Sequence, residues 1–321
     1  MSRYLQAIRF NGNGRGGRID DTDIGIGING GDIKRRPPIF TLVLSFGAPL
    51  LLLLTNCANP ADGGAAGGRF TFAVADVGQG LAQFGVVGKR TVVWDVGNNY
   101  VAWRGAYINL GSPRVESIII SHTESDHCGA LQSFGASLDW SGEIVVSAYE
   151  DTAKLRESAA AWANRIKFKS CVRGDTLRTL GAAVEIVCLW PPRGLNMETP
   201  LPDNMKNHCS LVFSIRHGSA RALITSDIDA AAMTEIAAHS RYDLRAQILS
   251  VPHHGSAGSV NPLFFSYVSP EAAVISCSSD NAYGHPSPQM IDELQRRSDR
   301  VMYTYIDGTV TFSGNRYYWS Y

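Results

Sequence analysis

The stretch that decides the fold reads Ile118-Ile119-Ile120-Ser121-His122-Thr123-Glu124-Ser125-Asp126-His127-Cys128-Gly129-Ala130. The segment from Val115 to Ile120 predicts a buried strand, and it ends at once in imidazoles and carboxylates. His122 and Glu124 are two residues apart, so they point the same way in an extended segment. Asp126 and His127 follow where the chain turns, so they can face a second ion. This spacing favours a metal site over a solvated polar loop.

Metal-competent side chains recur where other predicted strands end. Asp227 closes one apolar strand, and His253 and His254 follow the next one along the chain. His285 comes shortly after a further strand. Because strand ends of one sheet layer lie on one edge, we expect these groups to converge. Asp95 also ends a strand, and it fits both a simple turn residue and a side chain that orients a metal-bound histidine.

Length and composition limit the class of protein. A chain of 321 residues predicts one or two domains. A formal net charge of zero excludes coating of nucleic acid by bulk charge, so an anionic substrate needs the metals and a local patch. The six cysteines form no CxxC pair and are dispersed, which argues against a zinc ribbon and against a disulfide framework.

The first 68 residues predict a leader and an anchor ahead of the globular body. Residues 1–38 are glycine-rich and basic, and we expect a disordered leader there. Residues 39–57 follow with an apolar run that ends in Cys57, which resembles an export signal of the bacterial lipoprotein type. An uncleaved membrane anchor and a buried core helix are the alternatives. Residues 58–68 are rich in glycine and alanine and predict a flexible tether.

These features predict an exported protein of the cell envelope, attached to the membrane through a lipid on Cys57 or through the apolar segment. The sequence indicates no protein partner.

A basic amphipathic segment precedes the middle of the body. Asp151 to Lys169 predicts a helix with apolar residues on one side and several lysines and arginines, Lys154 among them. The basic residues fit a solvated helix face, and they also fit a patch that meets a phosphate backbone.

Six motifs occur in a fixed order along residues 69–321. They are Asp76-Val77-Gly78-Gln79-Gly80, Ser121-His122 through His127, Asn207 with Ser210-Leu211-Val212, Thr225-Ser226-Asp227, His253-His254-Gly255-Ser256 and Tyr283-Gly284-His285-Pro286. The spacing of His122, Asp126 and His127 resembles the metallo-β-lactamase superfamily. The full set resembles the soluble metallohydrolase domain of ComEC-type competence proteins, which import DNA.

The resemblance implies an α+β fold, a four-layer αββα sandwich over residues 69–321, with two divalent metal ions on its edge. It implies one metal on His122 and Glu124, a second on Asp126, His127 and His285, and Asp227 bridging both. His253 and His254 would lie near the substrate as proton donors or phosphate contacts. Glu124 stands where Asp or His is usual, and His208 is a candidate for a further ligand.

The expected function is a metal-dependent hydrolase, a phosphodiesterase or nuclease that acts on DNA outside the cytoplasm through a dinuclear metal-bound hydroxide. Asp126, His253 and His254 are the expected catalytic residues. Mixed nitrogen and oxygen ligands suit zinc or manganese without selecting between them. DNA or another phosphodiester is the expected partner. The alternatives are a hydrolase of a small ester, lactone, thioester or β-lactam, and a non-catalytic module that binds DNA or an envelope polymer.

Overall fold

The computed structural model describes residues 69–134, 138–159, 164–195 and 203–314. The predicted leader (1–38), the apolar segment with Cys57 (39–57) and the tether (58–68) lie outside the described residues. Within the described ranges, no helix is both long and apolar enough to cross a membrane.

The strands form two seven-stranded mixed sheets. In chain order they are β1 (Phe70–Val74), β2 (Ala82–Val87), β3 (Arg90–Val96), β4 (Arg114–Ile120), β5 (Glu143–Ser147), β6 (Lys167–Cys171), β7 (Thr176–Leu177), β8 (Val184–Trp190), β9 (Val212–His217), β10 (Ala220–Ile224), β11 (Ile248–Ser250), β12 (Ala272–Ile275), β13 (Arg300–Tyr303) and β14 (Val310–Ser313). The first sheet has the order β14-β1-β2-β3-β4-β5-β6, and the second has the order β13-β12-β11-β10-β9-β8-β7.

Eight α-helices are described around the sheets. They are α1 (Tyr100–Asn109), α2 (Ser125–Cys128), α3 (Thr152–Ser158), α4 (Asp203–Lys206), α5 (Ala230–Ser240), α6 (Pro262–Val268), α7 (Pro288–Arg297) and α8 (Thr304–Asp307). Asn99 caps α1 and Asp229 caps α5, each accepting a bond from a backbone N–H of the first turn.

Three hydrophobic clusters lie between four layers. The first joins one face of the first sheet to α1 and α3, and the second fills the space between the sheets. The third joins the far face of the second sheet to α5, α6 and α7. The predicted four-layer αββα sandwich is therefore confirmed.

The strand that precedes the histidine-rich turn is buried on both faces. Ile118 and Ile120 belong to the cluster under α1, and Ile119 belongs to the cluster between the sheets. β4 pairs in parallel with β3 and β5, so it is an interior strand. Burial on both faces explains why Ile118 to Ile120 is an unbroken apolar run and not an alternating pattern.

The helix predicted for Asp151 to Lys169 is wrong at its C-terminal end. α3 covers only Thr152–Ser158, and Lys167–Cys171 forms β6, which pairs in parallel with β5. β6 is the last strand of its sheet and most of its side chains are exposed. Lysines are common on such edges because they discourage pairing with other chains. In the sequence, the same lysines resemble the polar face of an amphipathic helix.

The parallel halves of both sheets determine where polar residues gather. β3 to β6 run parallel in the first sheet, and β10 to β13 run parallel in the second. The carboxyl ends of parallel strands share an edge, so the segments after β3, β4, β10, β11 and β12 open on one side.

Candidate metal centre

Four side chains from three strand ends converge at that edge. Asp126, His127, Asp227 and His254 each offer one nitrogen or oxygen atom, and these atoms lie within 4.8 Å of one another. The Nε2 atom of His127 is 3.2 Å from Oδ2 of Asp227, and Nε2 of His254 is 3.4 Å from Oδ2 of Asp126. We call this group the metal cluster.

Orphaned buried atoms indicate that the metal cluster suits a cation. Nε2 of His127, Nε2 of His254 and Oδ1 of Asp227 are buried without a hydrogen-bond partner among the described residues. Nε2 of the neighbouring His122 is also buried without a hydrogen-bond partner. Buried polar atoms without partners are costly and rare. Imidazole nitrogens and carboxylate oxygens are ligands for divalent zinc, manganese or iron, so divalent cations bound here would give these atoms partners.

Asp95, at the end of β3, fixes the orientation of His127. Its Oδ2 atom is 2.8 Å from Nδ1 of His127 and accepts a bond from the hydroxyl of Ser121, while its Oδ1 atom accepts one from the backbone N–H of Ser121. The Nδ1 atom of His127 therefore donates its proton to Asp95, which directs Nε2 towards the metal cluster, where it can bind a cation once its own proton is lost. The backbone of Asp95 has a φ of 53°, so this residue makes the turn and orients the histidine.

His254 is held from its other side by a carbonyl. Its Nδ1 atom donates to the backbone oxygen of Ser276 over 2.7 Å, which leaves Nε2 for the metal cluster. His253, His254 and Gly255 all have positive φ angles, of 48°, 52° and 87°. Two non-glycine residues in this region store strain, and such strain concentrates at functional sites.

The Asp76-to-Gly80 turn is built into the floor of the site. The backbone N–H of Leu81 donates to the carbonyl of Asp126, and the hydroxyl of Ser276 donates to the carbonyl of Gly80. A Cβ on Gly80 would lie 2.6 Å from the carbonyl oxygen of Asp126. The turn thus needs glycine to reach the loop that carries Asp126.

The charges of the metal cluster shift one another's titration. Burial opposes protonation of His127, but the carboxylates of Asp227 and Asp95 outweigh it and raise the pKa of His127 well above its ordinary value. Burial also opposes ionisation of Asp227, yet His127 and His254 hold its pKa well below the usual range. The pKa of Asp126 is lowered because His254 and His127 outweigh the effect of burial. The carboxylates of Asp126 and Asp227 therefore stay ionised at neutral pH beside a protonated His127.

His122 and Glu124 lie beside the metal cluster. The Nδ1 atom of His122 is 3.0 Å from the hydroxyl of Ser121, and its Nε2 atom is 3.8 Å from Oε2 of Glu124. The rings of His122 and His127 are 4.2 Å apart between centroids. Hydrogen bonding to His122 lowers the pKa of Glu124 against the effect of burial. The two residues expected to hold the first metal are therefore adjacent to each other and to the second set.

His253 and His285 form the wall next to the metal cluster. Nε2 of His253 is 3.8 Å from Oδ2 of Asp227, and its side chain is partly exposed. The rings of His253 and His285 are 5.6 Å apart between centroids. His285, expected as a metal ligand, thus contacts His253 and is not part of the metal cluster. His254, expected near the substrate, is one of the four residues of the metal cluster. Burial, followed by the neighbouring histidines, lowers the pKa of His285.

His208 pairs with Asp229 and is not one of the four residues of the metal cluster. Both oxygens of Asp229 are 3.1 Å from its Nδ1 atom, and its ring packs edge-on against Trp190. Asp229 is also the N-cap of α5. His208 therefore holds the residue that caps the N-terminus of α5.

Glu150 is a buried acid near the site that sequence reasoning missed. It is 8% exposed, it accepts a hydrogen bond from the hydroxyl of Thr123, and burial raises its pKa. Its position after β5 was the available signal, because β5 ends at the same edge as β4.

The site opens into a cleft of about 770 Å³. Acidic and histidine side chains form its base, and Lys154 and Lys206 are among the side chains that line it. Lys154 belongs to α3, the part of the predicted basic helix that the structure retains. The cleft thus has side chains that can bind a cation at its bottom and lysines in its walls.

Comparison of the whole chain with known proteins supports the motif-based resemblance, although no family model matches it. The chain is 27% identical over 249 residues to "Competence protein ComA" of Neisseria gonorrhoeae, covering 76% of this chain and 32% of that protein. It is 26% identical over 203 residues to "ComE operon protein 3" of Bacillus subtilis, covering 63% and 25%. It is 27% identical over 248 residues to "Recombination protein 2" of Haemophilus influenzae, covering 73% and 28%. The resemblance to competence proteins is confirmed.

The chain spans a third or less of the length of these competence-protein relatives. Solved structures of similar shape include the metallo-β-lactamase fold protein YhfI from Bacillus subtilis, at 12% identity and a TM-score of 0.49, covering 76% of this chain and 100% of YhfI. Zn²⁺-bound PqqB from Methylobacterium extorquens is another, at 8% identity and a TM-score of 0.45, covering 75% of this chain and 99% of PqqB.

Proposed function

We propose that the protein is a metal-dependent phosphodiesterase that hydrolyses DNA. The observation that carries the proposal is the metal cluster, in which buried imidazole and carboxylate atoms without partners converge at the base of a lysine-lined cleft. The similarity to competence and recombination proteins supports DNA as the phosphodiester.

In this proposal Asp126, His127, Asp227 and His254 hold one divalent cation, and His122 with Glu124 contributes to a second. Such cations activate water and neutralise charge on a phosphodiester. Asp95 keeps His127 in the tautomer that binds through Nε2. The rings of His127 and His254 are already held at Nδ1, as a preorganised site requires.

His253 is the residue of this chain best placed to move a proton. Its Nε2 atom lies beside Asp227, and its side chain is 28% exposed, so it reaches both the base of the cleft and its open volume. An imidazole can act as a general acid and protonate the leaving oxygen of a phosphodiester. Lys154 and Lys206 meet the phosphates that flank the reacting one.

The test is hydrolysis by the full chain after metal removal and reloading with Zn²⁺ or Mn²⁺. We expect cleavage of bis(p-nitrophenyl) phosphate and of DNA oligonucleotides, and none of nitrocefin or of a thioester. Asp126→Asn should lower the rate by more than the about 10–100-fold that loss of a supporting contact costs. Asp139→Asn, at an exposed acid bonded to Arg114, is the matched control.

Two results would contradict the proposal. Turnover of nitrocefin or the thioester alone would favour the small-molecule hydrolase. Metal-free protein that binds DNA and cleaves nothing after reloading would favour the non-catalytic module.

We place this activity outside the cytoplasm, in the cell envelope, on the strength of the sequence from Ile39 to Cys57 alone. Cys57→Ser should leave an unprocessed precursor, visible as a larger mass. An unchanged mature mass with unchanged membrane retention would reject lipidation and favour a plain apolar anchor.

A further inference from the structure

An exposed aromatic ring stands at the lip of the cleft. Tyr283 is 70% exposed and lines the cleft volume. Its ring stacks on the imidazole of His285, with centroids 5.8 Å apart and planes inclined by 21°. A ring this exposed contributes little to the hydrophobic core, so its place is not explained by folding.

The side chain of Asn281 makes four hydrogen bonds within the loop that carries this tyrosine. The Oδ1 atom of Asn281 accepts from the backbone N–H groups of Tyr283 and His285, over 3.2 and 2.9 Å. Its Nδ2 atom donates to the carbonyls of Ser278 and His285. A fixed loop presents the ring at a low entropic cost to a binding partner.

A continuous row of side chains links the tyrosine to the metal cluster. Tyr283 stacks on His285, the ring of His285 lies 5.6 Å from that of His253, and His253 reaches Asp227. The tyrosine thus lies on the same wall as the proposed proton donor, two side chains away from the base of the cleft. A ligand whose phosphate sits at the base has its neighbouring groups at this wall.

We propose that Tyr283 is a stacking platform for the nucleobase next to the scissile phosphodiester, an inference that rests on the proposed function. Bases stack on aromatic side chains with little regard to sequence, because every base has a π-face. A base inside a duplex already stacks on its neighbours, and freeing it costs energy. The substrate strand in this cleft is therefore single-stranded or locally unpaired.

The test measures binding, without added metal, of an eight-nucleotide single-stranded DNA that carries one 2-aminopurine at successive positions. In the full chain we expect fluorescence quenching confined to one or two adjacent positions. Tyr283→Ala should remove that quenching and weaken binding about 5- to 150-fold, the range that corresponds to loss of one stacked base. Tyr283→Phe should retain both, because the ring and not the hydroxyl makes the contact.

Two controls make the contact specific. Tyr242→Ala removes a tyrosine that is 79% exposed and is not among the cleft residues, and it should change nothing. An oligonucleotide with an abasic site at the quenched position should bind wild type and Tyr283→Ala equally.

Quenching that survives in Tyr283→Ala, equal binding of the intact strand by both proteins, or no quenching at any position in the wild type would each overturn the inference. These outcomes are separate from failure of the proposed function. A chain that cleaves no phosphodiester after metal loading would refute the nuclease while leaving position-specific quenching, and the stacking contact, in place.

Discussion

At the scale of single residues, the site depends on which imidazole nitrogen is occupied by a fixed partner. Asp95 takes Nδ1 of His127, and the carbonyl of Ser276 takes Nδ1 of His254. Both rings therefore present Nε2 to the same point. The partner of Nδ1 decides the tautomer and the ring orientation, so residues that never touch a metal decide whether one can bind.

Asp95→Asn tests this dependence. Asn tolerates the positive φ found at residue 95, so the turn should survive. The amide cannot replace the charge of the carboxylate beside Nδ1 of His127. We expect metal affinity to fall about 10- to 100-fold with little loss of stability, measured by competition with a chelator. Asp139→Asn, which removes an exposed charge, is the control. If Asp95→Asn binds metal as tightly as this control does, Asp95 contributes only the turn.

The pH dependence of metal loading follows from the raised pKa values of His127 and His254. Burial opposes protonation of His254, as it does for His127, but Asp227 and Asp126 outweigh it. In the metal-free chain both rings therefore keep the second proton, and with it their positive charge, at pH values where a free imidazole is neutral. This contributes stability that is fully present below the ordinary histidine pKa and is lost as the pH rises through the raised value.

A cation that binds Nε2 must displace these protons. We expect metal loading to release protons at neutral pH and metal affinity to increase as the pH rises. Calorimetric titrations in buffers of different ionisation enthalpy measure the number of protons released. His239→Gln, which alters an exposed histidine on α5, should leave that number unchanged. Loading without proton release and without pH dependence would contradict the charge state derived for the two histidines.

At the scale of elements, the site is a contact between loops that follow different strands. The turn before β2 holds the carbonyl of Asp126, and the turn after β11 packs on the loop after β12. The second contact is tight, since a Cβ on Gly255 would lie 2.5 Å from Cβ of Pro286. The loops are thus positioned by backbone proximity as well as by hydrogen bonds.

Gly255→Ala should separate the histidine turn from the loop that carries His285. The added Cβ meets Pro286, and the φ of 87° disfavours any residue with a side chain by about 1–2 kcal/mol. We expect a lower melting temperature and weaker metal binding, because His254 precedes the displaced residue. Gly258→Ala is the matched control, since its Cβ would meet nothing closer than 3.6 Å. Equal behaviour of the two variants would show that the contact is not needed.

The sequence predicted the strands and the positions of the motifs better than it predicted the hydrogen bonds between side chains and backbone of different loops. Ile118 to Ile120 identified β4 because burial on both faces requires an apolar run. The spacing of His122, Asp126 and His127 predicted a metal site after β4, and Asp126 and His127 of this set lie in the metal cluster. The bond between His254 and the carbonyl of Ser276 joins two strand ends, and no local pattern encodes it. The helix predicted to continue to Lys169 was wrong over Lys167 to Lys169, which lie in β6, because lysines occur both on edge strands and on polar helix faces.

At the scale of the whole molecule, the described chain closes on itself through its first and last described strands. β1 pairs with β2 on one side and with β14 on the other, and Phe72 lies opposite Phe312. Phe72 is 1% exposed and belongs to the cluster between the sheets. The edge of the first sheet therefore depends on residues at both ends of the described body.

This closure predicts where an autonomous domain begins. A chain starting at Arg69 retains β1, all three hydrophobic clusters and every residue of the metal cluster, so it should unfold cooperatively and bind metal as the full chain does. A chain starting at Ala75 lacks β1. Its absence leaves β14 without a neighbouring strand and exposes the hydrophobic cluster between the sheets. Loss of one large buried side chain costs about 2–5 kcal/mol, and whole domains are stable by about 5–15 kcal/mol, so removal of a buried strand should abolish folding. Thermal unfolding of the two chains beside the full-length protein measures the difference. Failure of the Arg69 chain to unfold cooperatively, with the full chain sound, would move the domain boundary into the first 68 residues.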